Sequence, residues 1–408
     1  MKTTLVFFFI SMILLSYNAQ RKSVKSEVKV QVEKKIVPFK VGAEILMQDL
    51  SQLQGKQIAL VVNPTSMVGK EHLVDVLLSK NVQIMKVLAP EHGFRGKADA
   101  GEEINDAIDA KTGLALVSLY GNHRKPTAED LADIDLVIFD IQDVGVRFYT
   151  YISTLHNVME ACAEYGVKVL VLDRPNPNGN LVEGNILDMN HTSFVGMHPI
   201  PILHGMTIGE YAQMINGEKW LANELQCDLK IVKCQGYDHK MAYSLPVKPS
   251  PNLPDDRAIK CYPSTCFFEG TVISEGRGTD IPFQVFGAPE IDSRFSTFSF
   301  VPMSKEGAKY PKFENETCYG FNISKIPNDF EEQKGINLDY LITMYNLYPT
   351  QDGFFLKNGF FDLLAGGTAL REAIIEGLSA EEIKASWKQD LIKFKEIRAK
   401  YLLYKDFE

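Results

Sequence analysis

From Val41 onward, short continuous apolar runs alternate with helical patterns, and this alternation limits the fold more than any other feature of the chain. The runs lie at 58–62, 82–89, 114–119, 134–141 and 167–172. Each is too short for a typical helix and is mostly apolar, the first without exception, as suits strands buried on both faces. Helical patterns fall between them at 72–78 and 151–165. Strands alternating with helices imply βαβ units and a mostly parallel, Rossmann-like α/β sheet. Right-handed crossovers then bring all strand C-termini to one edge, where such sheets bind ligands.

Polar clusters gather at that predicted edge. Pro90-Glu91-His92-Gly93-Phe94-Arg95-Gly96 follows the second run, Asp140 to Arg147 closes the fourth, and Asp173 to Gly179 follows the fifth. The second half has a different texture. Residues 246–264 are rich in proline and predict an irregular crossing segment. A loop, Glu275-Gly276-Arg277-Gly278-Thr279-Asp280, lies within 271–287. Helices are expected at 338–347, 368–376 and 379 to about 404, the last opened by a capping box of Ser379 and Glu382. This predicts a Rossmann-like domain over 39–240 and a smaller α+β domain over 241–408.

The first 20 residues are expected to be a signal peptide. Lys2 supplies a positive start, 5–15 form an apolar core too short to span a bilayer, and Ala19 suits the position before a cut. Residues 21–38 are polar, charged and free of aromatics, like a tether. An exported chain without stable membrane insertion is expected. The formal net charge of −9 and the lack of a basic run beyond the leader argue against a nucleic-acid partner. Six cysteines without a C-x-x-C pair are too sparse for a disulfide scaffold; most are expected to be buried thiols, with a Cys261–Cys266 bridge left open.

Several chemistries are disfavoured. The first strand-to-helix turn, Asn63-Pro64-Thr65-Ser66, lacks the glycines of a dinucleotide site, and no Walker lysine loop is present, so no cofactor is expected. No G-x-S-x-G elbow supports a serine hydrolase. No H-E-x-x-H spacing supports a metal centre. What remains is acidic. Glu91-His92, directly after a strand, can supply a general acid tuned by its neighbour, or merely cap the next helix. Asp140 and Asp143 can be catalytic or can bind loop amides. Arg147 and Tyr149 suit an anionic sugar or a structural ion pair. Arg277 and Asp280 can reach across from the second lobe or close a local turn. His204 precedes Thr207, a predicted helix N-cap, and can be a packed histidine.

NPTS at 63–66, EHGFRG at 91–96, SLYG at 118–121, FDIQDVGVRFYTYISTL at 139–155 and LDRPNPNG at 172–179 occur in order. HGMTIGEYA at 204–212, PSPNLP at 249–254, FFEGTVISEGRGTDIPF at 267–283 and FGAP at 286–289 follow. With these motifs the chain closely resembles the bacterial exo-β-N-acetylmuramidases, a family long known only as a domain of unknown function, from about Val41 to the C-terminus. The resemblance implies a Rossmann-like lobe on a smaller C-terminal lobe with the site between them. It implies release of N-acetylmuramic acid from non-reducing ends of peptidoglycan fragments, which the expected signal peptide would place in the periplasm or outside the cell. It makes Glu91 the leading catalytic candidate, with His92 beside it, and leaves Asp140, Asp143 and Glu275 open as the partner carboxylate. A lactyl carboxylate on the sugar asks for a cation: Arg147 or Arg277, with Arg95 and Arg174 behind. Tyr149, Asn178, His204, Asn252 and Asp280 complete the expected substrate contacts. Asn180, the LPVKP run at 245–249 and Glu290 depart from the family pattern and bear on fine substrate preference. Two other readings stay open on the residues: a metal-dependent hydrolase using Asp140, Asp143 and a histidine, and a sugar-binding protein without turnover.

Overall fold

The computed structural model describes residues 38–91, 93–95, 107–325 and 335–408. The expected signal peptide and His92 lie outside the described residues, as does all of the tether but its last residue. Residues 39–408 form one compact unit.

The strands, in chain order, are β1 (Ile58–Val62), β2 (Met67–Val68), β3 (Glu71–His72), β4 (Ile84–Ala89), β5 (Ala107–Ile108), β6 (Ala115–Ser118), β7 (Leu136–Asp140), β8 (Lys168–Leu172), β9 (Leu229–Val232), β10 (Val285–Ala288), β11 (Phe298–Phe300) and β12 (Cys318–Asn322). Seven of them make the main sheet, in the order β5-β6-β4-β1-β7-β8-β9. All its pairings are parallel except β5 with β6. Strands β1 and β7 are buried at every position, as their continuous apolar sequence requires. Leaving aside the short antiparallel edge β5, this is the doubly wound 3-2-1-4-5-6 order, with its switch point between β1 and β7.

The helix Tyr151–Tyr165 covers one face of the sheet through Ile152, Leu155, Val158, Met159 and Cys162. It ends at Gly166, whose φ of 70° is the left-handed conformation that glycine adopts most cheaply. The other face packs against the helices Gly42–Leu46 and Leu73–Ser79. The second lobe carries a small antiparallel sheet, β10-β12-β11, and the helices Asp339–Leu347, Phe360–Ala365 and Ala369–Ile375. One apolar cluster runs from Ile152 and Phe148 through Phe267 to Phe361, so the lobes share a core.

Two expectations change. The proline-rich stretch contains a helix, Asp256–Thr265, started by Asp255, whose side chain accepts from the Ala258 amide, and it tolerates Pro263 near its end. The C-terminal helical pattern breaks into Ala380–Ser386 and Lys388–Arg398. The chain then returns to the first lobe: Tyr404 Oη donates to Asp173 Oδ2 at 2.5 Å, and Arg398 Nη2 donates to Gly205 O at 2.6 Å. All six cysteines are buried and free. Among the described residues no helix is long and apolar enough to cross a membrane.

Candidate active site

The loops after β4 and β6 are tied together, because the Leu119 amide donates to Ala89 O at 2.7 Å. That bond sets Tyr120 beside Glu91. Gly93, at φ 71°, closes the turn after Glu91 by donating to Pro90 O. The loop after β7 brings the third element. Thr150 precedes the helix Tyr151–Tyr165 but makes no side-chain cap, and its hydroxyl donates instead to Glu91 Oε2 at 3.4 Å. Tyr120 also hydrogen-bonds Glu91. Burial, then the Glu91 charge, push the Tyr120 phenol up to about 12, so it remains a donor at neutral pH. Glu91 is thus a half-buried carboxyl held by two hydroxyls at the C-terminal edge of the sheet.

A cleft of about 670 Å³ opens in front of it. The second lobe supplies the facing wall. Glu269 lies in the short turn Cys266–Gly270. Glu275 lies in the glycine-flanked loop, where Gly276 stands at φ 82° and an added Cβ would meet Val285 O at 2.8 Å. Arg277 sits between the two acids: its Nε and Nη2 donate to Glu269 Oε1 at 3.1 and 2.5 Å, and its Nε is 3.4 Å from Glu275 Oε1. Burial works against the Arg277 charge, but the two glutamates outweigh it and raise its pKa. Phe283, strained at φ 60°, lies under the guanidinium at 5.2 Å. Lys312 Nζ is 3.2 Å from Glu275 Oε2 without hydrogen-bond alignment, and it donates to the carbonyls of Phe268, Thr271 and Ile273. Glu275 is only 3% exposed, whereas Glu269 keeps more access to the cleft.

Five of the expected residues line this cleft: Glu91, Tyr149, Asn252, Glu275 and Arg277. Tyr149 Oη donates to Pro249 O at 2.8 Å and Asn252 Nδ2 to Gly307 O at 2.6 Å, which holds the crossing segment against both lobes.

The others are placed elsewhere. Asp140 is fully buried in a two-pronged pair with Arg174, with Nε–Oδ1 at 2.6 Å and Nη2–Oδ2 at 2.9 Å. This pair, with Ser66 donating to Asp140 O and the Gln142 amide donating to Thr65 Oγ1, fills the sheet's switch point with protein. Asp143 is buried and accepts from the Gly145 amide at 2.6 Å. Asp140 and Asp143 therefore do not converge, and among the described residues no three acids, histidines or cysteines group as metal ligands. Arg95 is held by Asp109 and Asp75, away from the cleft. Asn178 is buried, donating to Val144 O and accepting from Lys260. His204 accepts from the Met206 amide in a buried site, and burial, then the Arg398 charge, lower it to about 3. Asp280 points to solvent and pairs with Lys305.

Arg147 is the largest correction. Its Nη1 donates to the carbonyls of Asn185 and Ile200, and its Nη2 to those of Leu364 and Ala365, in a site without solvent exposure. It staples the two lobes together and has no donor left on its two terminal nitrogens for a substrate.

Burial pushes the Asp143 carboxyl up to about 7, against the Gly145 and Val144 amides that favour its charge. Between pH about 4, its ordinary range, and 7 the folded chain holds a proton that the unfolded chain has released. Stability should fall as pH rises through that window, by at most roughly 4 kcal/mol for a shift of this size. Asp143→Asn keeps an acceptor for Gly145 and should flatten the decline. Thermal melts at pH 5 and pH 8 check this: an unchanged difference between the two pH values would exclude it.

Glu269, Tyr120, Tyr151, Arg124 and Lys312 also line the cleft and were not expected. Glu269 had a signal, being a lone acid directly after the apolar run Cys266-Phe267-Phe268. The polar cluster Asn122-His123-Arg124-Lys125, shortly after the third predicted strand, was another.

The comparisons agree with this architecture along the whole folded chain. The sequence profile of the N-terminal part of exo-β-N-acetylmuramidase NamZ matches residues 58–257, and that of its C-terminal part matches 260–404. The peptidoglycan β-N-acetylmuramidase NamZ of Bacillus subtilis (strain 168) is 39% identical over 422 aligned positions, covering 98% of this chain and 99% of that protein. Two crystal structures of DUF1343 family proteins from Bacteroides fragilis NCTC 9343 superpose with TM-scores of 0.83 and 0.78, at 47% and 32% identity. Each covers 90% of this chain and 99% of the other. With both halves matched and a close relative aligned end to end, the chain belongs to the exo-β-N-acetylmuramidase NamZ family.

Proposed function

We propose that this chain is an exo-acting β-N-acetylmuramidase that releases N-acetylmuramic acid from non-reducing ends of peptidoglycan fragments, outside the cytoplasm. The observation that carries the reading is the meeting of carboxylates in one cleft: Glu91 on the sheet edge, with Glu269 and Glu275 on the opposite wall. Glycoside hydrolysis needs such a pair, one carboxyl to protonate the leaving oxygen and one to attack or to activate water. Glu91 takes the acid role in this reading. It is reachable from the cleft, and its hydroxyl partners fix its direction. Glu269, more open than Glu275, is the better placed second carboxylate, and Arg277 orients it. The apolar run at 5–15 supports export.

Native cells of the source organism should be fractionated, and each fraction incubated with a chromogenic β-N-acetylmuramide and with the matching glucosaminide. Purified chain should prefer the muramide, and the native activity should be found outside the cytoplasm. Turnover of neither sugar by folded protein would remove the enzymatic reading; activity confined to the cytoplasm would remove the export.

A further inference from the structure

Four cations line the cleft among the described residues, and two of them are already engaged by carboxylates. Arg277 is held by Glu269 and Glu275, and Lys312 by Glu275 and three carbonyls. Arg124 differs. It is exposed, it lines the cleft, and among the described residues it has no carboxylate partner. Its guanidinium lies over the Phe194 ring, 4.4 Å from the centroid, and Phe194 also lines the cleft. Stacking on an aromatic face holds the plane of an arginine while leaving its N–H edge free to donate. The backbone is anchored as well, since Asn157 Nδ2 donates to Arg124 O at 3.1 Å.

Position ties this cation to the reacting end of the cleft. The Tyr120 hydroxyl, which bonds Glu91, also lies within the electrostatic reach of Arg124. Lys309, the other cleft cation without a carboxylate partner among the described residues, lies near the exposed Tyr310 ring. A muramic sugar bears its lactyl ether on the ring carbon next but one to the anomeric carbon. When the anomeric centre stands before Glu91, that carboxylate therefore falls a short way to the side. A planar, pre-oriented guanidinium with no carboxylate partner among the described residues is matched there to a carboxylate.

We propose that Arg124, stacked on Phe194, is the residue that receives the lactyl carboxylate and so selects acidic over neutral amino sugars. This rests on the muramidase reading above. Arg277, expected from sequence to hold that group, instead orients the two acids.

The test compares a nitrophenyl β-N-acetylmuramide with its lactyl methyl ester, which keeps the bulk and removes the charge. Wild-type enzyme should favour the acid. Arg124→Ala should raise KM for the acid on the order of 10- to 100-fold, the range for a lost hydrogen bond to a charged group, and leave kcat within a few-fold. The ester should change little, and Arg124→Lys should recover part of the loss on the acid. Equal losses on acid and ester would overturn the proposal, because a structural role would affect both. So would acid-against-ester discrimination that survives in Arg124→Ala and disappears in Lys309→Ala. Absence of wild-type turnover on the muramide would instead defeat the muramidase reading itself.

Discussion

Glu91→Gln should lower turnover of an unactivated muramic disaccharide by about 10²–10⁴-fold, the usual contribution of general acid catalysis. Glutamine has the size of glutamate and can still accept from Thr150 and Tyr120, so fold and binding should persist. It cannot supply a carboxyl proton to the leaving oxygen. A nitrophenyl leaving group needs little protonation, so its hydrolysis should suffer much less when bond cleavage limits the rate. That contrast between substrates separates loss of the acid from general damage to the cleft. A folded Glu91→Gln enzyme that cleaves the disaccharide at nearly the wild-type rate would remove Glu91 from the role. The same comparison would then be applied to Glu269 and Glu275, the carboxylates that share its cleft.

Arg147→Ala should unfold the chain far more readily, and not merely weaken substrate binding. The guanidinium makes four hydrogen bonds to carbonyls of Asn185, Ile200, Leu364 and Ala365. Removing it leaves four buried acceptors without a donor, and a cavity between the lobes. Losses of this kind are not additive, and breaking a buried charged contact costs about 3–5 kcal/mol. In a chain of this size that corresponds to a fall in Tm of roughly 4–6 °C. Lysine should rescue poorly, because an ammonium cannot reproduce the planar fork. Thermal melts decide: a variant that melts like wild type yet loses muramide cleavage would return Arg147 to the substrate.

Arg147 also marks where the sequence stops being legible. Its charge and its place after a buried strand are visible in the motif. The four carbonyls that hold it belong to residues between 38 and 218 positions away, and backbone acceptors leave no trace in residue identity. Asp140 is alike: its place at a strand end was readable, but its pairing with Arg174 needs the parallel alignment of β7 with β8. Where periodicity is local, the reading was close. The helix Tyr151–Tyr165 and the strand Ile58–Val62 fall where the pattern put them. It failed where local signals conflict. Pro263 disguised the helix Asp256–Thr265, and β9, half-exposed at the sheet edge with Lys230 in its middle, lacks a continuous apolar run. Glu91 stood out because a strand, a turn glycine and an acid adjoin in sequence. Glu269 and Arg124 join it only through folding.

The return of the C-terminal segment to the first lobe has a consequence for the order of synthesis. Asp173 sits just beyond β8 and is buried, with burial raising its carboxyl to about 6. Its partners include the Tyr404 hydroxyl, 231 residues later, and the nearby Glu210 accepts from the Leu403 amide. Neither contact exists while the chain is still being made, so the early-translated sheet waits on the last residues to satisfy its own interior. Bonds that span so much chain close slowly, since a long loop must be ordered before they form. The lobe that carries Glu91 is therefore a late product of its own translation, and an incomplete chain lacks the partners that its buried acids require.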